Sequence, residues 1–319
     1  MNLISVVLPV KNNAAVLPNL LADLKQQNYQ NFEVIFVDNN SVDQTYQQLV
    51  AFKRLSGIPT TIISQRIRQS IGVSYNQAID HSNGKYVMFL TPKMRLHPSW
   101  LAQVSQTATT KQADIVGYNG QNQQFNDPQD LIASYLVGQT PMSVAGMLIN
   151  KKLAHSIKFD SKLSMHAETF FLYSIFRNTK SAIFLGGSVR PQIVSKKVDF
   201  KAEHLQIVSV LESISECVQQ NYPELMPHAW RYKHQTLTQL YRQIKQLSLS
   251  NRRIFKGELT KIKAELRTIE FKQLEFSNIG RLKSWLNRQF DRHMIIYPET
   301  ENSVKLSESA GDLSKTNLG

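Results

Sequence analysis

The sequence predicts an α/β protein in which an open, mostly parallel sheet is followed by a helical C-terminal region. Two observations carry this. Residues 3–10, 32–37 and 86–90 are nearly continuous apolar runs rich in β-branched residues, the pattern of strands buried on both faces of a parallel sheet, and stretches with helical apolar spacing separate them. Beyond about Val198 strand signals give way to long helical patterns.

The elements follow in order. Leu3 to Val10, closed by Pro9, is the first strand. Val16, Leu20, Leu21 and Leu24 recur at helical spacing, Asn28 to Asn31 breaks the pattern, and Phe32 to Val37 is the second strand, which completes a βαβ unit. Asp38-Asn-Asn-Ser-Val-Asp43 is a polar turn ending in capping chemistry, with Tyr46, Leu49, Val50 and Phe52 on one helical stripe after it. A short strand is expected over Thr60 to Ser64, then a helix over Ser70 to Ala78 with Gly72 in its first turn, and a turn at Asn83-Gly84. Tyr86 to Leu90 is a fourth buried strand, stopped by Thr91-Pro92 because proline cannot continue the ladder. Ligands of such sheets bind at the carboxyl ends of the strands, so the loops after Val10, Val37 and Leu90 are where a site is expected.

From Asp114 to Arg190 strands are expected at 114–118, 143–149 and 182–185, with a helix over Glu168 to Arg177, as the second half of the same domain. Helices are then expected over 200–220, 227–248, 255–275 and 279–292. The predicted organisation is a sheet domain over 1–195, a basic helical domain over 196–297 and a polar, disordered tail over 298–319.

The 319 residues, 42% hydrophobic and 19% charged, suffice for two domains and exclude global disorder. Cys217 is the only cysteine, which rules out a disulfide framework and fits a reducing compartment. The N-terminus lacks a signal-like pattern and no apolar run approaches ~18 residues, so a cytoplasmic, non-spanning protein is expected. The net charge of +13 is uneven: Arg231 to Arg292 holds 15 Lys and Arg against 5 Asp and Glu. Such an excess attracts a polyanion, whether nucleic acid, anionic membrane or anionic polymer, or else forms a solvated helical face. The stripe Ile279, Leu282, Trp285, Leu286 and Phe290, accompanied by Arg281, Lys283, Arg288 and Arg292, suits either the surface of an anionic membrane or packing against neighbouring helices. His204, His228, His234 and His293 have no metal-like spacing, and no nucleic-acid motif accompanies Trp230, Tyr232 and Tyr241, so nucleic acid is not the expected partner.

Four segments, 6–12, 27–43, 71–79 and 83–90, carry a resemblance in order and spacing: Val6-Val-Leu-Pro-Val-Lys-Asn12, Gln27 to Asp43, Ile71-Gly-Val-Ser-Tyr-Asn-Gln-Ala-Ile79 and Asn83-Gly-Lys-Tyr-Val-Met-Phe-Leu90. Over about residues 3–100, and more weakly over 101–195, the chain resembles the family 2 glycosyltransferases, whose Rossmann-like GT-A domain moves a sugar from a nucleotide-sugar to an acceptor. The resemblance implies that Pro9, Val10 and Asn12 lie against the nucleobase and that Asp38 hydrogen-bonds the base or ribose, while Asp43 caps the following helix. It also places Gly72, Ser74 and Asn76 where a helix N-terminus faces the donor diphosphate.

Two motifs depart from the family. Its metal-holding Asp-x-Asp is here Thr91-Pro-Lys-Met-Arg95, which has no carboxylate for a hard divalent cation, so no metal is expected at this loop. Lys93, with Arg95, would instead set fixed positive charge against the leaving diphosphate. The family's Glu-Asp before an apolar helix is here Glu168-Thr169, which leaves Glu168 as the candidate base, with His166 and Asp160 as further groups and the helix macrodipole as a structural explanation of a glutamate there. Arg190 is a candidate for pairing with an acidic group of the donor or acceptor. The implied activity is inverting transfer to a cell-envelope polymer or lipid-linked precursor, an arrangement similar to the transferases of wall teichoic acid synthesis, with peripheral contact at the inner face of the membrane through the basic helices. The alternative is a GT-A pseudo-enzyme that serves as a binding or assembly subunit.

Overall fold

In the computed structural model, which describes residues 2–187, 191–193 and 200–269, the first half of the chain alternates strand and helix as its apolar runs require. β1 (Ile4–Val10), α1 (Leu17–Lys25), β2 (Phe32–Asp38), α2 (Thr45–Leu55), β3 (Thr60–Ser64), α3 (Ile71–Asp80) and β4 (Tyr86–Phe89) follow one another. Next come β5 (Met94–Arg95), α4 (Trp100–Thr110), β6 (Ile115–Gly120), β7 (Gln123–Phe125), α5 (Pro128–Leu136), β8 (Leu148–Asn150), α6 (Lys151–Ser156), α7 (Ala167–Asn178), β9 (Ala182–Gly186) and β10 (Gln192–Ile193). The main sheet has the order β3-β2-β1-β4-β8-β6-β9-β7, and β5 pairs separately with β10. β1 to β4 are mutually parallel, β8 runs against both β4 and β6, and β6 and β9 are parallel, so the expected mostly parallel sheet is what forms. Arg190, the helix over 279–292 and the tail over 298–319 lie outside the described residues.

Alternate side chains of the central strands point to opposite faces, and both faces are covered. Val6, Leu8, Val34, Phe36 and Met88 pack with α1, α2 and α4 on one side. Val7, Ile35, Val37, Val87 and Phe89 pack with α3, α5 and α7 on the other. This is why the strands read as continuous rather than alternating apolar runs. Local chemistry fixes where several helices start: Ser70 accepts from Val73 N at α3, Asp127 accepts from Gln129 N ahead of Pro128 at α5, and Asn150 accepts from Lys152 N at α6.

The expected strand over 143–149 is shorter in the structure. Gly146 adopts φ +83°, and Met147 N donates to the Val144 carbonyl at 2.9 Å, so 143–147 is a turn and only Leu148–Asn150 enters the sheet. The helical pattern from Phe200 begins as a 3₁₀ turn, Ala202–Gln206, in which His204 N donates to the Lys201 carbonyl at 3.0 Å and the His204 ring accepts from Lys201 N; α8 (Ile207–Asn221) follows. α9 (Met226–Lys245), α10 (Leu249–Ile254) and α11 (Lys256–Thr268) complete the described chain. These helices do not stand apart from the sheet. The apolar core on the α3, α5 and α7 face continues through Ile207, Leu211, Leu237 and Leu240 to Ile262.

At the amino ends of the strands a polar latch closes the sheet. Glu33, buried on β2, accepts from the Ser5 hydroxyl and Asn83 N at 2.6 Å each and from Asn83 Nδ2 at 3.0 Å. Ser5 Oγ in turn accepts from Gly84 N at 2.8 Å. A Cβ on Gly84 would lie 2.6 Å from Ser5 N and 2.7 Å from the Leu3 carbonyl, which is why glycine follows Asn83. The described helices include none long and apolar enough to cross a membrane.

Candidate active site

The carboxyl ends of β1, β2 and β4 gather the residues with chemical potential. β1 and β2 are in register through Val10↔Asp38, and the loops after them are stitched together. Asn39 N donates to the Val10 carbonyl at 2.9 Å, Asn12 N donates to Ser41 Oγ at 3.0 Å, and Val42 N donates to Asn12 Oδ1 at 2.9 Å. Asn12 and Asn40 both adopt left-handed backbone (φ +49° and +57°), which asparagine tolerates better than most side chains. Pro9 and Val10 are buried in β1, so they shape this end of the sheet from within, and Asn12 is exposed at its rim. Pro9 lies beyond the last β1–β4 pair, Val7↔Phe89, where its missing N–H costs no ladder bond.

Asp38 is 3% exposed, and its two oxygens differ. Oδ2 accepts from Ser41 N at 3.4 Å, while Oδ1 is buried without a hydrogen-bond partner. A buried carboxylate oxygen left unmatched costs free energy in the bare protein, and a donor group supplied by a ligand would recover it. Asp43, five residues on, is fully occupied as expected of a cap: Ala14 N, Thr45 N and the Thr45 hydroxyl all donate to it. These contacts, the Thr45 hydroxyl first, hold its carboxyl below the usual range.

At the start of α3 the three residues expected to face the donor have partners within the fold. Gly72 is a packing glycine, whose Cβ would lie 3.0 Å from Phe159 Cβ and 3.1 Å from the Asp160 carbonyl. Ser74 is fully buried, with its hydroxyl directed at Gln65 Oε1 (3.3 Å) and the Ser70 carbonyl (3.4 Å). Asn76 clamps the Phe159 backbone, donating to its carbonyl and accepting from its N–H, both at 2.9 Å. Gly72 and Asn76 thus fix α3 against 159–167, because a small and an amide side chain are what so close an approach admits, while Ser74 faces Gln65. Asp160 Oδ1 accepts from Lys162 N in a local turn.

After β4 the chain turns sharply, with Met94 N donating to the Thr91 carbonyl at 3.0 Å and Thr91 N facing Met94 Sδ at 3.4 Å. Lys93 is exposed at the tip. Arg95 does not join it, contrary to the expectation. Its guanidinium forms a two-point pair with Asp23 of α1 (Nε to Oδ2 2.7 Å, Nη2 to Oδ1 2.9 Å), and Leu96 N donates to the same carboxylate at 2.9 Å. The donor set of this loop, one hydroxyl, one thioether sulfur and a lysine, does not fit a hard divalent cation.

Glu168 enters the same end of the sheet from the first turn of α7. Its Oε2 accepts from Ser143 Oγ at 2.8 Å and Val144 N at 3.3 Å. Burial pushes its carboxyl above the usual range, and these two hydrogen bonds oppose the shift. Glu168 also bears on Tyr75, whose phenol is raised by burial first and by this carboxylate second, and whose hydroxyl donates to the Leu90 carbonyl at 3.4 Å. Glu168 is thereby placed beside the end of β4. β2 and β4 flank β1, so their carboxyl ends lie roughly 10 Å apart. His166, the N-cap of α7, is left-handed (φ +61°) and meets the His204 ring edge-on at 6.3 Å. Burial, then His204, lowers it to about 4, so it is a neutral imidazole engaged with the C-terminal helices. Sequence reasoning did not single out Ser143, Val144 or Tyr75; Ser143 lies 25 residues from Glu168, in a stretch that reads as strand.

Comparison with known proteins agrees with this geometry. The profile described as "Glycosyl transferase family 2" matches residues 5–174. The amylovoran biosynthesis glycosyltransferase AmsB of Erwinia amylovora is 33% identical over 100 residues, 31% of this chain and 33% of that protein. The GalNAc(5)-diNAcBac-PP-undecaprenol beta-1,3-glucosyltransferase of Campylobacter jejuni is 24% identical over 114 residues, 36% of this chain and 37% of that protein. Among solved structures, S. aureus TarS superposes with a TM-score of 0.61 at 16% identity, over 84% of this chain and 54% of TarS; it has also been solved in complex with UDP-GlcNAc. The matched part thus spans about a third of each curated relative and about half of TarS. With its profile match over more than half of its length and its mixed, mostly parallel sheet, the chain belongs to glycosyl transferase family 2 and has the GT-A fold.

Proposed function

We propose that this protein transfers a sugar from a nucleotide-sugar to an acceptor used in building a cell-envelope polysaccharide, with inversion at the anomeric carbon and without a metal at the loop after β4. The observation that carries this reading is Asp38: a buried carboxylate at the carboxyl end of β2 with one oxygen awaiting a donor. A base N–H or a ribose hydroxyl supplies that donor. Pro9, Val10 and Asn12 form the adjoining wall, and Gly72, Ser74 and Asn76 act by fixing where α3 starts. Lys93 provides the positive charge for the diphosphate, and Arg190 remains a candidate for the same task. Glu168 takes the proton from the acceptor hydroxyl as its oxygen bonds to the anomeric carbon and the bond to the nucleoside diphosphate breaks.

The basic C-terminal third favours a polyanionic acceptor, of which a polyol-phosphate chain such as teichoic acid is one. The name of the C. jejuni relative supports a lipid-linked acceptor as the other class. A second reading, a domain that binds donor without turnover, is favoured by the missing carboxylate at 91–95. The test is calorimetric titration with UDP-, GDP-, CDP- and dTDP-sugars, with Mg²⁺ or Mn²⁺ and again with EDTA, followed by a transfer assay. Binding in EDTA that is lost in Asp38→Ala, with transfer lost in Glu168→Gln, supports the enzyme. Binding with no transfer to any acceptor supports the second reading, and no binding under either condition favours an assembly subunit over the enzyme.

A further inference from the structure

The segment 143–147 is fastened to the sheet by two backbone hydrogen bonds. Gly146 N donates to the Phe89 carbonyl at 2.7 Å, and Phe89 N donates to the Met147 carbonyl at 3.1 Å, so the turn is carried on the last residue of β4. Gly146 makes the approach feasible: its φ of +83° suits glycine, and a Cβ there would lie 2.7 Å from Pro191 Cγ. At the head of this rigid turn, Ser143 Oγ accepts from Ala145 N at 3.2 Å. With its acceptor side engaged, the hydroxyl directs its single proton to Glu168 Oε2, 2.8 Å away, and the Val144 amide, which is a donor only, reaches the same oxygen. A neutral acid can also accept them on that oxygen, but both contacts are stronger to an ionised carboxylate, so together they favour the charged form. Nothing in a purely structural helix start requires two converging donors on a half-buried side chain, since a first-turn glutamate is already favoured by the helix dipole.

We propose that Ser143 is the positioning residue of Glu168: from a turn fixed to the end of β4, its hydroxyl and the Val144 amide hold one carboxylate oxygen in place and keep the group in its proton-accepting form. The inference rests on the reading of Glu168 as base and adds the residue that makes it one. Burial alone would leave Glu168 protonated further up the pH scale, where it accepts no proton. Ser143 opposes that tendency from a position the sequence separates by 25 residues.

The experiment is a ¹³C NMR titration of the glutamate side-chain carboxyls in the full chain, with Glu168→Gln identifying the resonance. In Ser143→Ala the midpoint of Glu168 is expected to rise by about one pH unit, the worth of one charge-assisted hydrogen bond. Ser143→Thr, which restores the hydroxyl, is expected to bring it back to within a few tenths of a unit. Should Ser143→Ala not fold, Ser143→Cys, with its weaker donor, is expected to show a smaller rise in the same direction. An unmoved midpoint in Ser143→Ala, or in Ser143→Cys where the alanine variant does not fold, overturns the proposal, as does a shift that Ser143→Thr fails to reverse. Because the titration reads the carboxyl itself, this failure is separate from failure of the base assignment, which would show as undiminished transfer in Glu168→Gln.

Discussion

Two carboxylates on one strand, Glu33 and Asp38 of β2, sit at opposite ends of the same sheet and are treated in opposite ways. Glu33, at the amino end, receives donors on both oxygens from Ser5 and Asn83. Asp38, at the carboxyl end and even less exposed, keeps one oxygen buried and unmatched. The first is a completed network, the kind that stabilises and specifies a fold. The second leaves free energy uncollected within the protein's own contacts, which a donor group of a ligand would recover. The backbone follows this division only in part: Asn12 and Asn40 are left-handed in the loops at the carboxyl end and His166 at the α7 start that bears Glu168, but Gln112 is left-handed ahead of β6, at the amino end.

This contrast can be broken at several points. The largest effect is expected at Glu168→Gln, which removes the proton acceptor. Transfer should fall by about 10²-fold or more while the urea midpoint holds or rises, since a desolvated carboxylate is replaced by a neutral isostere. Retained transfer would remove Glu168 from the site. Gly84→Ala attacks the other end, where the added methyl meets backbone of β1; a loss of roughly 3 kcal/mol in denaturant unfolding is expected, against a negligible change if the latch can shift.

The sharpest comparison makes the same chemical change at both carboxylates. Glu33→Gln turns an amide N–H₂ toward donors and should cost about 2 kcal/mol of stability without altering nucleotide affinity. Asp38→Asn should leave stability within about 0.5 kcal/mol and weaken nucleotide binding about tenfold or more, read by calorimetry. Equal effects of the two variants on stability would erase the distinction drawn here.

The smallest effect concerns pH. His166 titrates near 4 in the folded chain against an ordinary 6.5, so its contribution to stability is present above about 6.5 and is lost as pH falls through about 4. His166→Asn, which tolerates the left-handed backbone, should flatten this part of the acid limb of unfolding free energy. An unchanged slope between pH 6.5 and 4 would show that His166 is not the titrating group.

The legibility of the molecule in its sequence follows the range of the forces involved. β1 to β4 and α1 to α3 were readable because burial on both faces writes itself as uninterrupted apolar runs, and because Ser70, Asp43 and Asn83-Gly84 cap or turn the chain through neighbours a few residues away. Asp38 was readable as a candidate because a strand end is a local feature. The missing carboxylate at 91–95 was equally plain.

What the sequence alone determined, then, is the alternating sheet, the end of it that carries the loops, and the chemical types available there. Tertiary structure decided which of those groups are free to act. Arg95 and Lys93 look alike in the sequence, yet Asp23, 72 residues from Arg95, takes the arginine and leaves the lysine at the tip. Gly72 and Asn76 have the look of ligand residues in the sequence, yet the 159–167 segment packs on both. Glu168 receives its side-chain hydrogen bond from Ser143, 25 residues away, on a turn fastened to β4. Hydrogen bonds and charge pairs act over about 3 Å in space with no regard to separation along the chain, so their partners exist only once the hydrophobic core has brought distant segments together.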